Sequence, residues 1–523
     1  MDSIALRLET EIYLLVLSSR LSPSRKPHAT QLRLSGGKEE VNYKEGYPPP
    51  VSPQQVKDKK VSISFCSGTC PVLISFHSLP KHALLSVGLW LSATSPSEAA
   101  PLKRAAVIPE NDAFYTPPAG YESAALGTVL KTRPVPNSLA AFSLLPQNIA
   151  AAWQILYRTS DSSGNAQATV TTVIEPHNAN ASRVLSYQVA EDSAWEACAP
   201  SYVLQKGSSL SGVATQAELL VMDAALSRGW YVVTPDYEGP NASFTAGLQA
   251  GHATLDSIRA VLASTNVTGI KANADVALWG YSGGALASGW AAELQPSYAP
   301  ELRIIGAALG GTPVDLNATL NAVNKGPFVG LVPAGILGLA SQYPDLAAYV
   351  DSVLIPSKKA NFYKAKSQCL AADIIQFLGQ DFNSYVNTTN FLNSPIATKV
   401  LTENHMGKFV PKIPLHMYHA INDEIVPFAP AKALYSQYCS QGASIQFVAD
   451  ELSEHVILLI TGAADAILWL QDRFNGVTAA TGCSNRTTAT SALDPGALPV
   501  FGELLFNDLG ALVGLPIGPL SIT

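Results

Sequence analysis

Charge is what this chain has least of. Only 14% of its 523 residues are Asp, Glu, Lys or Arg, against 47% hydrophobic, and the net charge is −7. That composition excludes a disordered, charge-rich chain. It also lacks the cationic surplus that phosphate backbones demand, so no nucleic acid partner is expected. Cysteine is scarce too, with six residues at 66, 70, 198, 369, 439 and 483. Cys66 and Cys70 have no companion ligands at zinc-site spacing and the other four are scattered, so no metal site is expected. Long apolar runs are also missing. None reaches the roughly 20 residues of a membrane-spanning helix, and no integral membrane segment is expected.

What is present is enough chain to bury a large core, as one elaborated domain or two. Asn-x-Ser/Thr sequons occur at Asn180, Asn241, Asn266, Asn317, Asn387 and Asn485. The set fits a glycosylated, secreted, extracellular protein in which Cys198, Cys369, Cys439 and Cys483 form two disulfides. Residues 1–81 mix basic stretches, Pro48-Pro49-Pro50 and apolar scraps without periodicity, and are read as a non-native or disordered extension. Residues 82–104 hold a short apolar stretch after Lys81, a small-residue end and the dibasic pair Lys103-Arg104. This is the make-up of a secretory signal with a processing site, and a mature start near Ala105 is expected.

The chain is organised around Ala274–Leu294. An apolar run, Val276 to Trp279, reads as a buried strand; Gly280-Tyr281-Ser282-Gly283-Gly284 reads as a tight turn; small and apolar residues up to Gln295-Pro296 read as a helix. Strand, Gly-flanked serine, helix is the context of a nucleophile elbow, where side chains beside a strained serine would collide with the facing strand or helix. The pentapeptide alone also fits an ordinary Gly-rich turn, so its partners must decide.

Before the elbow, strands are expected at Trp153–Arg158, Ala168–Ile174, Arg183–Val189 and Gly229–Pro235, with helices over Gln216–Arg228 and Phe244–Ser264. Asn148 to Leu156 reads as a short helical piece. After the elbow, Arg303–Leu309 is a further strand. Such alternation implies an α/β architecture, a mostly parallel sheet covered on both faces, with its first part over 105–312. Residues 313–400 break the alternation and read as an inserted helical cap whose apolar pieces favour a lipid-like substrate, although Val353–Lys366 is polar for that task. The core resumes over 401–499, with strands Pro414–His419 and Ser444–Phe447 and one apolar helix over Val456–Asp472. Residues 500–523 read as a flap beside the site or as a strand and turn on the core.

A serine hydroxyl needs a base at neutral pH, and His455 is the best placed to take and return its proton. Asp423, just past a strand end, would orient the imidazole and stabilise its charged form, with Glu424 as the rival acid. His416, His419 and His252 are read as packing or surface residues. The backbone N–H of Gly283 supplies one oxyanion donor. The second lies among Ala190-Glu191-Asp192-Ser193, and spacing alone does not choose between them.

Several segments resemble the fungal secretory lipase family of the α/β-hydrolase superfamily: SYQVAEDSAWEACAPSY (186–202), GWYVVTPDYEGP (229–240), GYSGGALASGWAAELQPSYAPEL (280–302), GGTPVDLNATL (310–320), HAINDEIVP (419–427) and SEHVILLI (453–460). The resemblance runs from about residue 111 to the C-terminus. It implies an α/β-hydrolase fold with the triad Ser282, Asp423 and His455, and an oxyanion site of Asp192 and the Gly283 amide. An aspartate donates there only when protonated. It further implies disulfides Cys198–Cys369 and Cys439–Cys483, a lid near 313–400, no cofactor, and an ester or triacylglycerol substrate met at a lipid–water interface. The fold and triad do not by themselves separate a lipase from a short-chain carboxylesterase or a serine peptidase, nor from an idle hydrolase fold that binds lipid.

Overall fold

The computed structural model describes residues 62–65, 72–75, 105–143, 145–494, 496–512 and 514–519. The signal-like segment, the dibasic pair and Cys66 and Cys70 lie outside the described residues. The chain divides into two units, Met1–Ser97 and Glu98–Thr523. In the first, β1 (Ser62–Phe65) and β2 (Val72–Ser75) pair antiparallel. SISF alternates apolar with polar residues and VLIS is rich in β-branched ones, as strands are.

The second unit is built on a sheet of ten strands. In chain order the strands are β3 (Val129–Pro134), the small ladder β4 (Ala140–Ala141) and β5 (Leu145–Pro146), then β6 (Ala151–Ser160), β7 (Ala166–Glu175) and β8 (Asn180–Gln188). There follow β9 (Trp230–Pro235), β10 (Asp275–Tyr281), β11 (Ile304–Gly310), β12 (Leu415–Ala420), β13 (Ile445–Asp450) and β14 (Cys483–Thr488). Across the sheet the order is β14-β13-β12-β11-β10-β8-β9-β7-β6-β3. The run from β14 to β9 is parallel, and β7, β6 and β3 close one side antiparallel.

The pleat of β10 explains both layers. Val276 and Leu278 join one core with Leu255, Ile258, Leu286 and Trp290 from helices Gly247–Ala263 and Gly283–Tyr298. Ala277, Trp279 and Tyr281 join the other, with Leu219, Met222, Ile467 and Leu470 from Val213–Leu226 and Ala463–Phe474. Side chains alternate across a strand, so a strand buried on both faces is apolar along its buried length, as β10 is from Val276 to Trp279. This is the expected α/β-hydrolase fold.

Three local readings are corrected. Asn148–Leu156, read as helical, runs into β6 at Ala151, and from Gln154 that strand is buried on both faces, which leaves little alternation to see. Val456–Asp472, read as one helix, breaks into His455–Thr461 and Ala463–Phe474, bent by 45°. At the break, a Cβ on Gly462 would stand 2.7 Å from the Tyr418 ring, so the backbone passes where only glycine fits. Residues 500–523, expected as a flap or strand, contribute to helix Ala497–Leu512, which buries Ala497, Val500 and Ala511 on the Val213–Leu226 side of the sheet. The following turn bonds Ile517 N to Asn148 O (2.9 Å) and His177 N to Ile517 O (2.6 Å), near the start of β8 and away from the strand ends that carry the elbow.

Between β11 and β12 the chain forms helices Leu316–Val323, Leu331–Gln342, Pro344–Val353, Pro356–Phe362, Leu370–Phe377 and Pro395–Glu403. The polar stretch 353–366 keeps Leu354, Phe362 and Ala365 inside and turns Lys364 and Lys366 outward, so its polarity is that of an outer face. Several ties hold this insertion to the loops around the sheet, three of them to the loops after β8 and β9. Those three are the Cys198–Cys369 disulfide, Ser193 Oγ donating to Gln368 O (3.0 Å) and Thr245 Oγ1 donating to Gly335 O (3.2 Å). A second disulfide, Cys439–Cys483, joins helix Phe428–Ser440 to edge strand β14. Asn180, Asn241, Asn266, Asn387 and Asn485 are exposed, and Asn317 is half-buried.

Candidate active site

Ser282 is the first residue after β10 and the N-cap of helix Gly283–Tyr298, with φ 52° and ψ −122°. An L-residue held there costs on the order of 1–3 kcal/mol, so the surroundings must enforce it. They do so through close backbone approach. A Cβ on Gly284 would lie 1.8 Å from Gln188 O of β8, and one on Gly280 would lie 2.1 Å from Gly284 O. The Ser282 amide donates to Gly310 O (2.9 Å), fixing the turn against β11.

Strands β12 and β13 bring the other two groups to this turn. His455 Nε2 is 2.9 Å from Ser282 Oγ, and His455 Nδ1 is 2.7 Å from Asp423 Oδ2. Asp423 Oδ1 accepts from the amides of Val426 (2.6 Å) and Ile425 (3.0 Å). Burial opposes ionisation of Asp423, but the His455 and His419 imidazoles outweigh it and hold the carboxyl well below its ordinary value. Burial likewise opposes charge on His455, yet Asp423 overrides it and raises that pKa above 6.5. The pair therefore favours a carboxylate facing an imidazole ready to take a proton.

Glu424 does not touch the ring. Its carboxylate accepts from the backbone N–H of His455 and of Val456 (3.4 Å), at the first turn of helix His455–Thr461. An anion there satisfies orphan amides and complements the helix dipole. Tyr281 O–H donates to His455 O (2.6 Å), so the histidine backbone is held from both sides. His419, read from sequence as packing, is buried with Nε2 3.0 Å from Val426 O and 3.3 Å from Asp423 Oδ2. Its proximity to Asp423 carried no sequence signal beyond the four-residue spacing. His416 is buried beside Trp469 and Tyr418, and His252 stacks on Tyr298; neither reaches the site.

The loop after β8 supplies the second oxyanion candidate. Asp192 is 5% exposed with φ 49°, and a Cβ on Gly283 would fall 1.9 Å from Asp192 Oδ1. Only glycine lets that carboxyl close on the residue after Ser282. Asp192 Oδ1 has no partner within the protein, and burial raises the acid's pKa to about 7, with His455 pulling the other way. Glu218, which sequence reading passed over, pins this loop by accepting from Ala190 N (2.9 Å) and Tyr187 O–H (2.8 Å). Glu191 and Glu238 are also buried here. Burial first, then neighbouring carboxyls, pushes both well above their ordinary values. The Asp192 neighbourhood is therefore built to keep carboxyls neutral rather than to hold cations. Among the described residues no group of three or more His, Cys, Asp or Glu is placed to bind a metal ion.

The arrangement sets a strained serine hydroxyl against an imidazole, that imidazole against a carboxylate, and the buried Asp192 carboxyl against Gly283. Those are the parts of covalent acyl transfer.

The family model described as "Secretory lipase" matches residues 204–482, over half of the chain. "Lipase A" of Arthroderma benhamiae is 44% identical over 422 residues, 79% of this chain and 90% of that protein. "Lipase 1" of Candida albicans is 42% identical over 420 residues, 78% and 90% respectively. Among solved structures, Candida antarctica lipase A in its closed state is similar with a TM-score of 0.71 at 33% identity, covering 80% of this chain and 99% of that one. A cell wall degrading esterase from Xanthomonas oryzae, at 16% identity and a TM-score of 0.53, shares the fold.

Proposed function

The chain belongs to the secretory lipase family, and from that premise we propose that it is a secreted serine lipase hydrolysing acylglycerol esters through an acyl-enzyme at Ser282. The observation that carries the reading is the unbroken contact chain from Ser282 Oγ to His455 Nε2 (2.9 Å) and from His455 Nδ1 to Asp423 Oδ2 (2.7 Å). His455 takes the serine proton as Oγ attacks the ester carbonyl. Asp423 stabilises the imidazolium that forms. The tetrahedral oxyanion is held by the Gly283 N–H and the protonated Asp192 carboxyl. His455 then gives its proton to the departing alcohol. Water, deprotonated in turn by His455, releases the fatty acid.

The same proposal assigns the remaining parts. Residues 313–400 act as the lid, the mature chain begins near Ala105 after removal of 82–104, and the exposed sequons carry glycans. Two disulfides suit an oxidising destination. A panel of long-chain triglyceride emulsions, soluble short esters and peptides tests the activity. Release of fatty acid from emulsions supports it; cleavage of peptides alone overturns it.

A further inference from the structure

The loops that follow β12, β13 and β14 are stitched into one platform. Asp450, fully buried at the end of β13, accepts through Oδ1 from the amides of Leu452 (3.2 Å) and Ser453 (2.9 Å). Through Oδ2 it accepts from the amide (2.8 Å) and hydroxyl (3.2 Å) of Ser491. Backbone bonds add Ile421 N to Asp450 O (2.8 Å) and Leu452 N to Ala489 O (3.0 Å). Ser453 Oγ lies 2.9 Å from Thr461 Oγ1, joining the loop to helix His455–Thr461. A buried carboxylate that spends itself on four donors makes these loops stiff.

What the platform turns outward is apolar. Leu452 is 73% exposed, Leu493 64%, Ile460 52%, Ile457 42% and Ile421 38%. Ile457 and Ile460, three residues apart, share one face of the helix that Thr461 ties to Ser453. Single exposed leucines are ordinary, but five large apolar side chains exposed on loops bonded to one another call for a partner. His455 belongs to the same stretch, three residues after Leu452, so whatever the patch touches is presented to the nucleophile's end of the sheet.

Charge identifies the occupant. Residues 421–427, 450–461 and 489–494 contain no Lys or Arg, the neighbouring Arg486 is paired with Asp465 and Asp494, and Glu451 is exposed beside Leu452. An anionic surface would be repelled, and a polar protein surface would gain nothing from bare leucines. We infer that this platform docks the enzyme on the surface of an uncharged lipid phase by inserting Leu452, Leu493, Ile457 and Ile460. The inference rests on the lipase reading for its substrate but has its own readout.

Binding is measured on Ser282→Ala protein by flotation with triolein droplets coated in phosphatidylcholine, so that docking is separated from hydrolysis. Leu452→Asp with Leu493→Asp is expected to lower partitioning by about a hundredfold, about tenfold for each leucine removed from the lipid. Leu515→Asp, the same change beside the far-end turn, leaves partitioning unchanged. In the Ser282 enzyme the double substitution leaves hydrolysis of a soluble short ester within about twofold, which also certifies folding. Replacing part of the phosphatidylcholine by phosphatidylserine weakens binding. The inference is overturned if the double variant floats like its parent, or if anionic droplets bind more tightly. It is equally overturned if the leucines prove to hold a dimer together in sedimentation. Should the enzyme hydrolyse no ester at all, the lipase reading falls while flotation still judges the platform.

Discussion

Asp192 offers a test in which rate and pH must change together. Its carboxyl, buried and pressed against Gly283, has its pKa raised from 3.8 to about 7. The acid form, the one able to donate to an oxyanion, therefore dominates below about 7 and is lost above it. At pH 9, two units higher, about 1% remains protonated, so kcat/KM should fall about a hundredfold from its plateau through this group alone. On the acid side the limit is His455, whose own pKa is raised, so activity also falls as pH drops through that value. Asp192→Asn keeps a donor of nearly the same shape that does not titrate; the alkaline limb should vanish. Asp192→Ala removes the donor and should cost about 10²–10³-fold at every pH. The same shift sets a stability signature. The group's stabilising contribution is fully present below pH 3.8 and lost as pH rises to about 7, because the unfolded carboxyl ionises first. Initial rates on a soluble ester from about pH 5 to 10 at constant ionic strength decide the matter. An Asp192→Ala enzyme with full turnover, or an Asp192→Asn enzyme that keeps the alkaline limb, would refute the reasoning and move the donor to a backbone amide.

The two neighbouring acids should separate cleanly. Asp423→Asn, which loses the partner of His455 Nδ1, is expected to lower kcat by about 10⁴-fold in stopped assays. Glu424→Gln, which touches only amides of the following helix, should cost about 1–2 kcal/mol in urea unfolding and far less in rate. Gly284→Ala forces a methyl onto Gln188 O and should destabilise the fold by about 3 kcal/mol or more, read as a lowered denaturation midpoint. Replacing Cys198 and Cys369 by Ala opens a loop of 171 residues and should cost about 2–5 kcal/mol in the same assay, while leaving the Ser282–His455 pair intact.

The parts of this architecture legible in the sequence were those with local punctuation. The elbow announces itself because its glycines answer a steric demand within five residues, and the chain order of Ser282, Asp423 and His455 follows from parallel strands ending at one edge. Other parts had no local sign. β14 reads CSNRTT because an edge strand can be polar throughout, so no apolar run marks it. The helix from 497 to 512 is interrupted by Gly502 and Gly510 and preceded by Pro495, which hid its period. The acidic neighbours of Asp192 were out of reach for a different reason. Glu218 and Glu238 come from a helix and a loop distant in sequence, and only burial turns ordinary acids into neutral ones.

The most direct measurement reacts folded protein with a fluorophosphonate ester and locates the adduct by peptide mass spectrometry. The account expects one adduct, on Ser282, formed in step with loss of ester hydrolysis and slowed when Asp423 is replaced by Asn. Full hydrolysis after Ser282 is blocked, or an adduct that maps to another residue, would contradict it.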